Sequence, residues 1–301
     1  MAAERVPPSA APIEVQEPRA WAVPLVLASP HSGTDYPADF LEASRLDPLA
    51  LRRSEDSFVD EIFADAPRLG APLIKALFPR AYLDPNREAY ELDPAMFADA
   101  LPNFVNASSA RVRMGLGTIA RIVASGEEIY AKKLPFAEAA RRIRELYDPY
   151  HEALSRLVVT SEKAFGGYLL IDCHSMPSQS ALLRGERAPE IVLGDCHGTS
   201  CAGEVTLAAR QFLSERGFVV AINFPYAGGF TTSHYGRPRL CRHALQVEIN
   251  RALYMDERRF EKKPALLRLA EEMALLIAHL SEVFTLHLSG AAGRQCSRAA
   301  D

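Results

Sequence analysis

The run YLLIDCHS, Tyr168 to Ser175, is apolar as far as Ile171 and then turns abruptly polar. Unbroken apolar residues without alternation read as a strand buried on both faces, the habit of parallel sheets. Reading outward, other segments repeat the pattern. Val23–Ser29 is an apolar run ending in Pro30-His31-Ser32-Gly33. Pro72–Leu77 and Ala81–Leu83 are strand-like, the second leading into the turn Asp84-Pro85-Asn86-Arg87. Ile191–Leu193, Phe218–Ile222 and Leu245–Ile249 complete the set of strands. Between them lie stretches with helical spacing: Leu49–Leu69, Thr118 to about Phe165 with breaks near Gly126, Pro135 and Pro149, Glu204–Glu215, and Pro264–Val283. Strands alternating with helices predict an α/β fold, its largely parallel sheet covered on both faces. No repeat or linker divides the chain, so one domain over residues 21–288 is expected. A flexible leader (1–20) and tail (289–301) flank it.

Composition narrows the function. The chain has 301 residues, 48% hydrophobic and 24% charged, an ordinary globular mix. Its 34 Lys and Arg against 38 Asp and Glu give a net charge of −4, which argues against a nucleic-acid partner held by general basic attraction, and none is expected. Five cysteines without a close pair do not suggest a disulfide framework, and a cytoplasmic location is expected. The first residues lack the apolar core of a signal peptide. The apolar windows Val23–Ala28 and Met273–Leu280 fall short of the roughly 18 residues that span a bilayer, so no membrane partner is expected.

In open α/β sheets, sites form beyond the carboxyl ends of the strands. His31, Asn86, Arg87, His174 and Asp195 all follow apolar strands, and Glu248 lies near the end of another. Two imidazoles brought to one sheet edge suit zinc, with Glu55 or Asp56 as a carboxylate partner. Two hydrogen-bonded structural histidines would occupy the same positions. Arg87 offers a planar fork for a carboxylate, as do Arg80, Arg111 and Arg113, although surface ion pairs use the same residue. Glu248 alternates with Leu245, Val247 and Ile249, so it is either a partly buried general base or a solvent-facing edge residue. Gly228-Gly229 suits a loop closing over a ligand. No Gly-x-Ser-x-Gly elbow is present, against one class of serine hydrolase.

Eight segments, in order, resemble the N-formylglutamate amidohydrolase family. They are SPHSG (29–33) with Tyr36-Pro37, DSFVDEI (56–62), DPNR (84–87), GLGTI (115–119), LIDCHSM (170–176), VLGD (192–195), PYAGGF (225–230), and LQVEINR (245–251) with Tyr254-Met255. The resemblance implies a single domain with a mixed, mostly parallel sheet, similar to zinc carboxypeptidases and aspartoacylases. It implies one Zn²⁺ per chain, held by His31, His174 and Asp56. It implies Glu248 as general base, Arg113 at the oxyanion, Arg87 with Asn86 on the substrate's α-carboxylate, and Tyr226 and Gly229 in a covering loop. The expected reaction is hydrolysis of a small acidic substrate, N-formyl-L-glutamate, to formate and L-glutamate. The alternatives are a deacylase for another N-acyl amino acid, a carboxypeptidase-like hydrolase, and a non-catalytic relative that binds a small acidic ligand.

Overall fold

Seven strands form one sheet in the computed structural model, which describes residues 11–181 and 188–291. Their hydrogen-bonded order is β1 (Ile13–Gln16), β3 (Leu73–Ala76), β2 (Leu25–Ser29), β4 (Tyr168–Met176), β7 (Arg242–Asn250), β5 (Ile191–Gly194) and β6 (Val220–Ile222). The pairs β3–β2, β2–β4, β4–β7 and β5–β6 are parallel, while β1–β3 and β7–β5 are antiparallel. The sheet is therefore mixed and mostly parallel, as expected. A hairpin of β8 (Met255–Asp256) and β9 (Glu261–Lys262) stands apart.

Nine α-helices are described: α1 (Ala38–Ala43), α2 (Pro48–Arg52), α3 (Val59–Ile62), α4 (Ala110–Arg113), α5 (Phe136–Arg142), α6 (Asp148–Phe165), α7 (Gly203–Glu215), α8 (Phe230–Tyr235) and α9 (Ala265–Ala291). Alternate residues of the central strands point to opposite faces. Val26, Ala28, Ile74, Leu170 and Ala244 pack into one core under α6. Leu25, Leu27, Leu73, Ile171, Leu245 and Val247 pack into a second, with α3, α7 and α9. Helix α6 buries Tyr150, Ala153, Leu154, Leu157, Val158 and Ser161, a stripe at helical spacing. It stops at Gly166, whose φ of 80° closes the last turn.

The structure corrects several sequence expectations. The leader contains β1, whose apolar Ile13 and Val15 pack on the first core; residues 1–10 lie outside the described residues. The start of the tail continues α9 to Ala291. Leu49–Leu69 is not one helix, because Phe58 takes a left-handed φ of 67° and splits the segment. Residues 118–134 are irregular, burying Ile119, Val123 and Ile129 without helical turns. Helix α5 runs through a π-helical turn, Ile143–Tyr147, into α6. Pro149 supplies no N–H for a regular turn there, which explains the widening. Ala81–Leu83 is not a strand.

Strand β4 is longer than its apolar run. It pairs with β7 through all nine residues, up to Met176 with Asn250, so His174 lies inside the strand rather than in a following loop. Cys173, Cys196 and Cys201 are free. By length and composition, Ala265–Gly290 within α9 could cross a membrane, a longer span than the window weighed above. In this fold its stripe Leu266, Leu269, Met273, Leu276, Ile277, Leu280 and Phe284 is buried in the second core.

Candidate active site

The same alternation that divides the core builds the site. Asp172 and His174 on β4, and Gln246 and Glu248 on β7, share the face of Leu170 and Ala244, but they lie past the apolar part of both strands. Register places His174 directly beside Glu248. The loop after β2 brings in His31, and Asp56 is tied to that loop by its N–H donating to the His31 carbonyl at 3.0 Å.

Three ligand-type atoms converge here. Nδ1 of His31 and Nδ1 of His174 are 3.1 Å apart. Oδ2 of Asp56 is 3.2 Å from the first and 3.0 Å from the second. All three residues are buried. Each imidazole is fixed from behind: Nε2 of His31 lies 2.7 Å from Asp84 Oδ1, and Nε2 of His174 lies 3.0 Å from Asp172 Oδ2. The carboxylate behind His31 makes Nε2 of that ring the donor and leaves its Nδ1 as a lone pair, while Nε2 of His174 lies beside both Asp172 and the Asn86 Nδ2, 3.0 Å away. Two imidazoles and a carboxylate facing one another in this way could hold a cation. Ligand bonds of about 2.0–2.1 Å in a tetrahedron separate neighbouring ligand atoms by about 3.3 Å, close to the spacing here. The residues fit a small divalent ion.

The charge field agrees. Burial alone would raise the carboxyl of Asp56, but hydrogen bonds from His174 and His31 hold it well below the usual range. Burial disfavours charge on His174, yet Asp172 and Asp56 outweigh it and push its pKa well above the ordinary value. A proton on His174 and a metal ion thus compete for one anionic pocket. The second oxygen of Asp56 accepts from Arg251 Nη2 at 3.1 Å and from Ser175 Oγ at 3.3 Å. Glu55, the other carboxylate weighed from the sequence, is turned away. It accepts from Tyr36, Arg52 and Ser57.

The cluster opens into a cavity of about 450 Å³. Glu248 lines it, 7% exposed, and accepts from Gln246 Nε2 at 2.8 Å. Burial raises its pKa to about 7, opposed by His174 and Arg80 and assisted by Asp56 and Asp172. Arg87, Tyr226 and Gly229 also line the cavity, as does Asn86. The amide of Asn86 is already engaged: Nδ2 donates to Asp172 at 3.2 Å, and Oδ1 accepts from the Thr231 N–H at 2.8 Å. Gly229 is pressed against it, so that a Cβ there would fall 2.5 Å from the Asn86 amide. Arg113 does not reach the cavity. Its side chain is exposed and turns back to the Ser108 carbonyl, because α4 directs Arg111 inward instead.

The sequence profile of the N-formylglutamate amidohydrolase family matches residues 23–255, which include all of these groups. The chain belongs to this family. Among its relatives is an N-formylglutamate deformylase of Pseudomonas aeruginosa, 30% identical over 78% of this chain and 83% of that one. A Pseudomonas putida protein of the same name is 26% identical, with the same coverage. The crystal structure of an N-formylglutamate amidohydrolase from Ralstonia eutropha JMP134 superposes with a TM-score of 0.87 at 37% identity, covering 92% of this chain and 100% of that one.

Within the family fold, sequence reasoning weighed Arg80 only as one of several carboxylate forks and gave no role to Asp84, Asp172, Gln246 or Arg251. Two left a readable trace. Asp172 precedes His174 by two, the spacing that puts both on one face of a strand. Gln246 stands in the same relation to Glu248.

Proposed function

We propose that the chain is a metal-dependent hydrolase that splits the formyl amide of N-formyl-L-glutamate into formate and L-glutamate. The observation that carries this reading is the triangle of His31, His174 and Asp56, backed by two carboxylates and opening beside Glu248. Two imidazoles and a carboxylate suit zinc, one ion per chain. When bound, the ion supplies Lewis-acid polarisation and an acidified water.

The chain's own residues do the rest. Glu248, in its anionic form, takes the proton of the attacking water and returns it to the departing amide nitrogen. Its burial keeps its affinity for that proton high enough for both transfers. The oxyanion role expected of Arg113 passes to Arg80, which lines the cavity 4.0 Å from Asp56. Arg87 holds the substrate's α-carboxylate. Its guanidinium is oriented by Nε donating to the Leu116 carbonyl at 3.0 Å and Nη1 donating to the Asn86 carbonyl at 2.9 Å. Asn86 positions His174 and Asp172 rather than touching substrate. Tyr226 and the Gly228-Gly229 loop form the wall that excludes water.

The test is metal content together with formate release. Wild-type protein should hold about one zinc per chain and release formate from N-formyl-L-glutamate. His174→Ala and Asp56→Ala should lose both metal and activity. Folded wild-type protein that takes up no metal when zinc is supplied would overturn the reading.

A further inference from the structure

Among the described residues four guanidinium groups line the cavity, and three are committed to neighbours. Arg80 donates to Asp84 at 2.8 Å. Arg251 holds Asp56, Ser175 and the Arg53 carbonyl. Arg87 is fixed to two carbonyls and lies 3.6 Å from Asp84. The fourth is Arg111, half-buried on α4, whose side chain has no hydrogen bond or ion pair among the described residues. Arg is rarely drawn into a cavity without an anion to meet it.

Two further features say what that anion is attached to. Burial weakens the hold of Arg87 on its proton, Asp84 opposes this, and the positive charges of Arg80 and Arg111 add to it. Two like charges that sense each other across a pocket call for negative charge between or beside them. The wall that follows Arg111 is apolar: Met114, Leu116, Ala120 and Ile122 line the cavity. An apolar wall ending in a free cation matches a short methylene chain ending in a carboxylate.

We propose that Arg111 binds the side-chain carboxylate of an N-acyl dicarboxylic amino acid, and so sets the preference for acidic substrates. This rests on the hydrolase reading above and deepens it. Arg87 takes the carboxylate common to every amino acid, and Arg111 takes the one that distinguishes the acidic ones. Two separate cations for two carboxylates give recognition by charge at both ends of the substrate.

The test compares N-formyl-L-glutamate with N-formyl-L-glutamine, which keeps the shape and loses the charge. In Arg111→Gln, kcat/KM for the glutamate substrate should fall about 10- to 100-fold, the range of a lost charge-assisted hydrogen bond, mostly through KM. The glutamine substrate should change less than about 3-fold on the same ground. Arg111→Lys should restore part of the discrimination. A merely structural role would lower both substrates together and would overturn the proposal, as would an unchanged ratio. Calorimetry of glutarate against its monoamide, on zinc-loaded wild type and Arg111→Gln, reads the same discrimination without turnover. If wild type hydrolyses neither substrate, the hydrolase reading fails while this binding contrast still decides Arg111. Wild type binding both ligands equally would overturn it.

Discussion

Asp172 stands two residues before His174 on β4, and its Oδ2 lies 3.0 Å from Nε2 of that ring. The strand's own repeat therefore delivers a metal-ligand candidate together with the carboxylate that orients it. Removing the charge while keeping the shape isolates that orientation. Asp172→Asn should weaken zinc affinity about 10- to 100-fold, measured by competition with a chelator, with little change in zinc stoichiometry at saturating metal. Unchanged affinity would mean that the carboxylate does not support the ring.

Glu248→Gln should fold, keep its zinc and bind substrate, because Gln246 can still hydrogen-bond the new amide. Its kcat should drop about 10²- to 10⁴-fold with KM nearly unchanged. Wild-type turnover in this variant would remove Glu248 from the mechanism.

The general base proposed above, Glu248, must be ionised to work, so kcat/KM should rise with pH along an acid limb. Burial sets Glu248 at about 7 in the protein alone. A cation beside His174 draws that limb to lower pH, so the zinc-loaded enzyme should show it below 7. The limb should vanish in Glu248→Gln. A pH–rate profile on wild type and variant checks both points.

His151 and His243 are buried as neutral rings, and burial lowers them to about 4 and about 3 from 6.5. Between 6.5 and those values the unfolded chain binds protons that the folded chain refuses. Stability is then complete above 6.5 and is lost as pH falls, by about 1.4 kcal/mol per pH unit for each histidine. Glu248, raised by burial, acts in the opposite direction between 4.5 and about 7. Urea titrations of metal-free protein from pH 7 to 5 should therefore show falling stability. The fall should be steeper in Glu248→Gln and shallower in His151→Gln.

Gly229→Ala inserts a Cβ where the Asn86 amide already stands. Asn86 must move, and it holds Asp172 beneath His174. Turnover should fall about 10²-fold, out of proportion to any loss of thermal stability. Equal activity would show that the loop yields instead.

The sequence made the sheet legible because its strands are apolar throughout, and made His31, His174 and Glu248 legible because they interrupt that pattern. Residue types alone left Asp56 and Glu55 both open and only the family resemblance chose Asp56; the structure shows the physical difference, Asp56 facing the two imidazoles and Glu55 turned to Tyr36, Arg52 and Ser57. Arg113 and Arg111 are likewise separated only by the turn of a short helix. The irregular stretch from 118 to 134 carries helix-like spacing, but its buried residues satisfy the core from loops. Strand ends were misjudged for a related reason. Hydropathy marks where a strand stops being greasy, whereas backbone pairing with β7 carries β4 on to Met176.

That pairing has a consequence for how such an enzyme can diversify. His174 and Glu248 are neighbours in one ladder, fixed by peptide hydrogen bonds that no side-chain change disturbs. Arg87, Arg111 and Tyr226 sit on connections outside the sheet. Replacing the connections that carry Arg111 and Tyr226 can therefore retarget the pocket to new acylated amino acids while this strand pair is inherited intact. A one-residue slip between the two strands would instead abolish every activity at once.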